Sequence, residues 1–309
     1  MSEAANTLPT YENRGVERLL SMGNLFIDFN FGITQLNQYL ADLSELKSGV
    51  PYASLGISER RQSTNPYLIS SPGTAKQDTI SDPYILRNQS LTAPGSIAVV
   101  KLEGVMTAQD GISNYGIGRT ITTLRSAFNN RNISSVIMET NSGGGQATAM
   151  FMITSALSER NKPVVTFGHY AASAAYGAAS ATDEIVASGK NADFGSIGAM
   201  WSIDMEFLAW YKETFQDFYG KDAPRKNEEL RGALENNFKP IQDSVDQLTV
   251  DFHNMVKANR PLTGQEAYQK TTLSGAMFSA EEAKRRGLID GIGNMDYAIK
   301  RALAWADKY

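Results

Sequence analysis

Cysteine is absent from the 309-residue chain, and histidine occurs only twice, at positions 169 and 253. The first absence excludes disulfides, thiolate nucleophiles, Cys-ligated zinc and iron–sulfur clusters. The second leaves His169 and His253 as the sole candidates for a catalytic or metal-binding imidazole, and neither has neighbours at metal-ligand spacing, so no metal and no cofactor is expected. An excess of positive charge is also missing. With 29 Lys+Arg against 33 Asp+Glu the net charge is −4, which argues against a general nucleic-acid partner. Long runs of large apolar residues are lacking too. Residues 163–182 form a 20-residue uncharged stretch, about the length of a membrane span, but Ala, Gly, Ser and Thr dominate it. Such small side chains insert weakly and pack closely, so the stretch reads as a buried strand and helix of a soluble protein. The first residues, MSEAANTLPTYENRGVER, contain acidic groups and no apolar core, and do not read as a secretory signal or membrane anchor.

What is present divides into three parts. Residues 1–47 carry a helical apolar pattern (Val16, Leu19, Leu20, then Leu36, Leu40, Leu43, Leu46) broken by the aromatic LFIDFNFGI, and read as a helical N-terminal region. Residues 48–95, rich in Ser, Pro, Asn, Gln and Thr, read as a linker or extended arm. From 96 to 309 strand and helix patterns alternate. Strands are expected at 96–105, 133–140, 163–168 and 184–188; helices at 121–130, from Met150 to Arg160, at 171–181 and at 238–257; and SAEEAKRRGLIDGIG reads as a capped helix, a glycine stop and a short strand. This alternation predicts an α/β fold with a parallel or mixed sheet covered by helices.

Three features fall at the ends of predicted strands, where α/β folds place their sites. Asn141-Ser142-Gly143-Gly144-Gly145 can bring backbone N–H groups up to a ligand, as an oxyanion hole requires, though it also reads as a plain tight turn. Tyr170-Ala171-Ala172-Ser173-Ala174-Ala175-Tyr176 sets a serine with little steric cover at a helix start, where the Ala174 N–H points the same way as the hydroxyl; the plain alternative is a serine in a close-packed helix. Phe194-Gly195-Ser196-Ile197-Gly198 is a glycine-bounded turn with a hydroxyl. A serine nucleophile needs a base. His169 lies four residues before Ser173, His253 sits in a polar helical stretch and reads as solvated, and a lysine can serve if burial leaves its amine neutral.

The order NSGGG, KPVV, YAASAAY, TDEIVAS, GSIG and SAEEAKRRGLIDGIG resembles peptidase family S49, which includes signal peptide peptidase A (protease IV) and the head-maturation proteases of tailed phages. The resemblance runs from residue 96 to the C-terminus. It implies a ClpP/crotonase-like α/β spiral, with the N-terminal region as a partly helical extension, and a Ser–Lys dyad. It implies Ser173 as nucleophile, the amides of Gly144 and Ala174 as oxyanion hole, and Ser196 as the hydroxyl that orients the lysine. The lysine is expected about fifty residues beyond the serine. Lys226, 53 residues on, is preferred, with Lys221, 48 residues on, as the alternative base. Gly143 stands where the family has proline, and Ala174-Ala175 replace two glycines, which changes the pocket but removes no catalytic side chain. The N-terminal region looks closest to phage head proteases. The expectation is therefore a soluble serine endopeptidase that trims capsid or scaffold proteins, working in the host cytoplasm or prohead interior as a homo-oligomer. The alternatives are a bacterial peptidase degrading signal-peptide remnants, a crotonase-like acyl-CoA enzyme, and a catalytically silent virion protein.

Overall fold

The computed structural model describes residues 65–74, 77–81, 84–110 and 115–309, together with the backbone of a short strand at Leu25–Ile27. The rest of the helical N-terminal region expected at 1–47 lies outside the described residues. The described strands are β1 (Leu25–Ile27), β2 (Tyr67–Ser70), β3 (Asp78–Ser81), β4 (Ser96–Met106), β5 (Ile133–Gln146), β6 (Val164–Ala172), β7 (Glu184–Ala187), β8 (Asp193–Gly195), β9 (Met277–Ser279) and β10 (Gly291–Ile292). The helices are α1 (Ile117–Asn129), α2 (Ala147–Ser158), α3 (Ala174–Ser180), α4 (Met205–Thr214), α5 (Glu228–Leu234), α6 (Lys239–Asn259), α7 (Glu266–Thr272), α8 (Ala280–Arg285) and α9 (Met295–Ala306).

The sheet runs β10-β7-β6-β5-β4-β2-β3, parallel from β10 to β4 and antiparallel at β2 and β3. Parallel strands buried on both faces need continuous apolar sequence, and Ile97, Ala98, Val99, Val100, Val136, Ile137 and Met138 supply it, each at 1% exposure or less. One face packs against α1, α2, α3 and α6. The other is covered by α9, through Ala298, Ile299 and Ala302 on Ile97, Val99, Ile137 and Val165. A separate small cluster of Leu208, Ala233 and Ile241 ties α4, α5 and α6 together.

The α/β alternation expected from the sequence is present, and four details differ. Residues 67–95, expected as part of a linker, add β2 and β3 to the sheet and bury Leu68, Ile69, Ile85 and Leu86. The reason is pairing: β2 lies on the open edge of β4, with Tyr67 opposite Val99 and Ile69 opposite Ile97. Second, the strand expected to stop at 140 runs on through the glycine run to Gln146. Beyond a bulge at Glu103/Val105 it keeps pairing with β4, Val105 opposite Gly144 and Met106 opposite Gly145. Third, the helix expected at 171–181 begins at Ala174, because Tyr170, Ala171 and Ala172 still pair with β8. Last, α9 was not foreseen, although Ile299 and Ala302 lie one turn apart on a single apolar face. Ser279, at the cap position of α8, makes no side-chain capping bond.

α9 is fastened to the sheet by a carboxylate. Glu184, 4% exposed, accepts from Arg301 Nε at 2.7 and 2.9 Å and from Trp305 Nε1 at 2.8 Å. Glu184→Ala removes the acceptor that Arg301 and Trp305 share, and should cost about 2–4 kcal/mol in denaturant unfolding, with α9 amides exchanging first. Gly195, at φ 136, has the Ala276 carbonyl oxygen 2.4 Å from where a Cβ would sit. Gly195→Ala should lower stability by about 2–4 kcal/mol through backbone strain and displacement of that carbonyl, read as a fall in Tm.

Candidate active site

Strand β6 changes partners near its end. Up to Gly168 it pairs with β7, and from Tyr170 to Ala172 it pairs with β8. On the other side β5 stays with it as far as Ser142 opposite Ala171. Two residues further along each chain come Gly144 and Ser173. Ser173 is the hinge between β6 and α3. Its φ of 55° and ψ of −123° are unusual for a residue with a Cβ. Two backbone bonds hold it there: its N–H donates to the Gly195 carbonyl at 2.9 Å, and its own carbonyl accepts from the Gly177 N–H at 2.9 Å. The small residues around it follow from this packing, since Ala171, Ala172, Ala174 and Ala175 are fully buried.

Ser196 occupies the matching place after β8. It too has a positive φ, 53°, and its N–H donates to the Ala276 carbonyl at 2.8 Å. Ser173 and Ser196 open onto one cleft of about 430 Å³, whose other walls include Met200, Thr249, His253, Leu273 and Gly275. The structure therefore brings together the expected nucleophile and the expected orienting hydroxyl. Ala174 opens α3, so its N–H falls among those a helix cannot satisfy internally. That helix has only seven residues, and the local amide rather than a long helix dipole is what it can offer.

The Gly144 amide is engaged. It donates to Ser142 Oγ at 3.1 Å, and that hydroxyl in turn donates to the Gly104 carbonyl at 2.6 Å. Ser142, which nothing but its place in the motif singles out, thus fixes the orientation of the glycine run. An oxyanion at this position would take over the Gly144 N–H from the hydroxyl.

The titratable groups fall out differently from the expectation. Lys221 and Lys226 are both exposed, in the turn-rich segment before α5, and neither lines the cleft. His169 is exposed as well, with Nδ1 3.4 Å from Ser188 Oγ, away from the Ser173 cleft. Lys162, the lysine whose pKa burial depresses, to about 8, stands just before β6 begins and bonds the Ala127 and Asn130 carbonyls. A nine-residue strand separates it from Ser173, roughly 30 Å of chain. His253, expected to be solvated, is instead half-buried in the cleft wall, one turn of α6 beyond Thr249. Its Nε2 is shielded from solvent and has no hydrogen-bond partner. Burial lowers its pKa below the ordinary imidazole value; the carbonyls of Ile197 and Leu273 oppose that shift, and Lys257 adds to it. The signal missed in the sequence is the i, i+4 spacing of Thr249 and His253 on one face of α6.

No cluster of three or more metal-ligating side chains occurs among the described residues, and no described helix is long and apolar enough to cross a membrane.

Comparison with known proteins points to the same family. The model of peptidase family S49 matches residues 224–307, the stretch from just before α5 through α9. Protease 4 of Haemophilus influenzae is 28% identical over 232 residues, which is 70% of this chain; the chain spans 36% of that relative's length. Protease 4 of Salmonella typhi is 26% identical over 229 residues, again with 36% of the relative covered. Among solved structures, a ClpP1 mutant from Listeria monocytogenes is similar over 65% of this chain and 94% of its own, at 14% identity and a TM-score of 0.42. The family model covers the C-terminal part of the chain, including SAEEAKRRGLIDGIG, and together with the two relatives it makes the chain similar to peptidase family S49.

Proposed function

We propose that the protein is a serine endopeptidase with Ser173 as its nucleophile. The observation that carries this reading is the setting of Ser173, held at positive φ on a strand–helix hinge, opening with Ser196 onto one cleft. Strain of this kind is retained where the surrounding structure over-determines it, and it collects at catalytic turns. In the proposed reaction Ser173 Oγ attacks the scissile carbonyl carbon and gives its proton to a base. The amides of Ala174 and Gly144 hold the oxyanion, a contribution of about 3–4 kcal/mol per donor. The base then protonates the departing amine, and water hydrolyses the acyl-enzyme by the same route in reverse.

The family resemblance assigns the base to Lys226, with Lys221 as the alternative, in a Ser–Lys dyad oriented by Ser196. In the single chain that assignment requires the exposed 220–227 segment to fold over the cleft, or a second copy of the chain to supply the amine. A second reading has one specific observation in its favour: His253 already lines the cleft, and burial favours its neutral form. The proposed substrates are capsid or scaffold proteins, on the resemblance to phage head-maturation proteases; signal-peptide remnants are the rival. Incubating the protein with a phage capsid or scaffold precursor, and in parallel with a synthetic signal peptide, separates the two.

Ser173→Ala should abolish fluorophosphonate labelling and lower peptide cleavage by about 10³-fold or more. Undiminished cleavage in that variant overturns the proposal. Lys226→Ala, Lys221→Ala and His253→Gln then identify the base. A base works deprotonated, so activity rises with pH through its pKa. A histidine held below its ordinary value places that rise below about pH 6.5 with a plateau above, whereas a lysine base makes activity climb into the alkaline range.

A further inference from the structure

The edge of the sheet beside Ser173 is occupied. Strand β5 loses β6 as a neighbour after Ser142 opposite Ala171, because β6 turns away into Ser173 and α3. The last residues of β5 keep β4 on one side, with Met106 opposite Gly145. Their other side would be an unpaired edge, with backbone groups open to any extended chain. Instead β1 lies along it, antiparallel, with Leu25 opposite Gln146, Phe26 opposite Gly145 and Ile27 opposite Gly144. β1 therefore pairs with the proposed oxyanion glycine itself. An extended peptide that presented its scissile carbonyl to Ser173 and the Gly144 amide would need this same edge, since backbone pairing is how a strand-like ligand is read.

We infer that the chain's own Leu25–Ile27 strand occupies the peptide-binding edge and acts as a tethered competitor of substrate. This deepens the serine-peptidase reading and rests on it. A tethered strand competes at an effective concentration set by its linkage, in the millimolar range for short flexible connections. Substrate must displace it, so the apparent KM is the intrinsic KM divided by the fraction of molecules in which the edge is free, while kcat for bound substrate is unchanged. The partner class follows from the geometry: an extended polypeptide running antiparallel to residues 144–146, at least three residues of which pair by backbone.

The test compares full-length wild type with full-length Leu25→Pro/Ile27→Pro, which cannot form the pairing, and with the milder Leu25→Gly/Ile27→Gly. Three readouts are taken on each: deuterium exchange of the 143–146 amides, the rate of Ser173 labelling by a small fluorophosphonate, and cleavage of a fluorogenic peptide. The inference expects slow exchange in wild type, faster exchange in both variants, and a KM about 10-fold lower with kcat retained. A synthetic GNLFIDF peptide should restore the wild-type KM when added to the proline variant. Exchange that is equally fast in wild type and variants overturns the pairing. Variants that label at Ser173 and expose 143–146, yet keep the wild-type KM, overturn competition while leaving the serine peptidase intact. Absence of both labelling and cleavage in all three proteins overturns the peptidase reading and the inference with it.

Discussion

Everything near Ser173 depends on how closely two strands approach at Gly145. A Cβ there would lie 2.0 Å from the Met106 carbonyl oxygen, so no side chain fits. That absence lets β5 continue past its bulge beside β4 rather than turning off into α2 at the point where its β-branched run ends. Because β5 continues and β6 does not, an edge is created alongside Ser173. The glycine run is thus a strand-extending device as well as a source of amide donors. Ser142 completes it by clamping the Gly144 N–H and the Gly104 carbonyl across the two strands.

The legible parts of this fold were those in which local pattern and tertiary packing agree. The apolar runs at 96–105 and 133–140, rich in β-branched residues, read as strands of a parallel or mixed sheet, and the alanines flanking Ser173 read as a closely packed strand–helix junction. The similarity to family S49 and the opening of Ser173 and Ser196 onto one cleft were likewise readable, from the order of several short motifs. The illegible parts were decided by partners distant in sequence. Leu68 and Ile69 sit in a four-residue strand among turn formers, and the open edge of β4 makes them a strand. His253 looks solvated because its neighbours in sequence are polar, whereas Ile197 and Leu273, from two other segments, wall it in. The lysine loop is a further case. Spacing along the chain supported Lys226, but spacing does not determine where an exposed turn points, and within one chain Lys226 stays out of the cleft.

The scarcity of histidine acquires a second meaning from this arrangement. Of two imidazoles in 309 residues, one is exposed and the other borders the Ser173 cleft with a shielded, unpartnered nitrogen. An unpaired buried nitrogen costs free energy, and a site otherwise lined by small and aliphatic residues gains nothing in packing from an imidazole over a leucine. The cleft accordingly presents two independent polar faces to a substrate, the serine pair on one wall and the Thr249–His253 face of α6 on the other.

The chain of bonds Ser173 N–H to Gly195 carbonyl, then Ser196 N–H to Ala276 carbonyl, runs across three strands that are far apart in sequence. Ser173 is therefore suspended, through two backbone hydrogen bonds, from the segment between α7 and β9 about a hundred residues downstream. That segment also supplies Leu273, Ser274 and Gly275 to the cleft. One short segment thus forms a wall of the cleft and, through the Gly195–Ser196 turn, anchors the backbone of Ser173 at the opposite side.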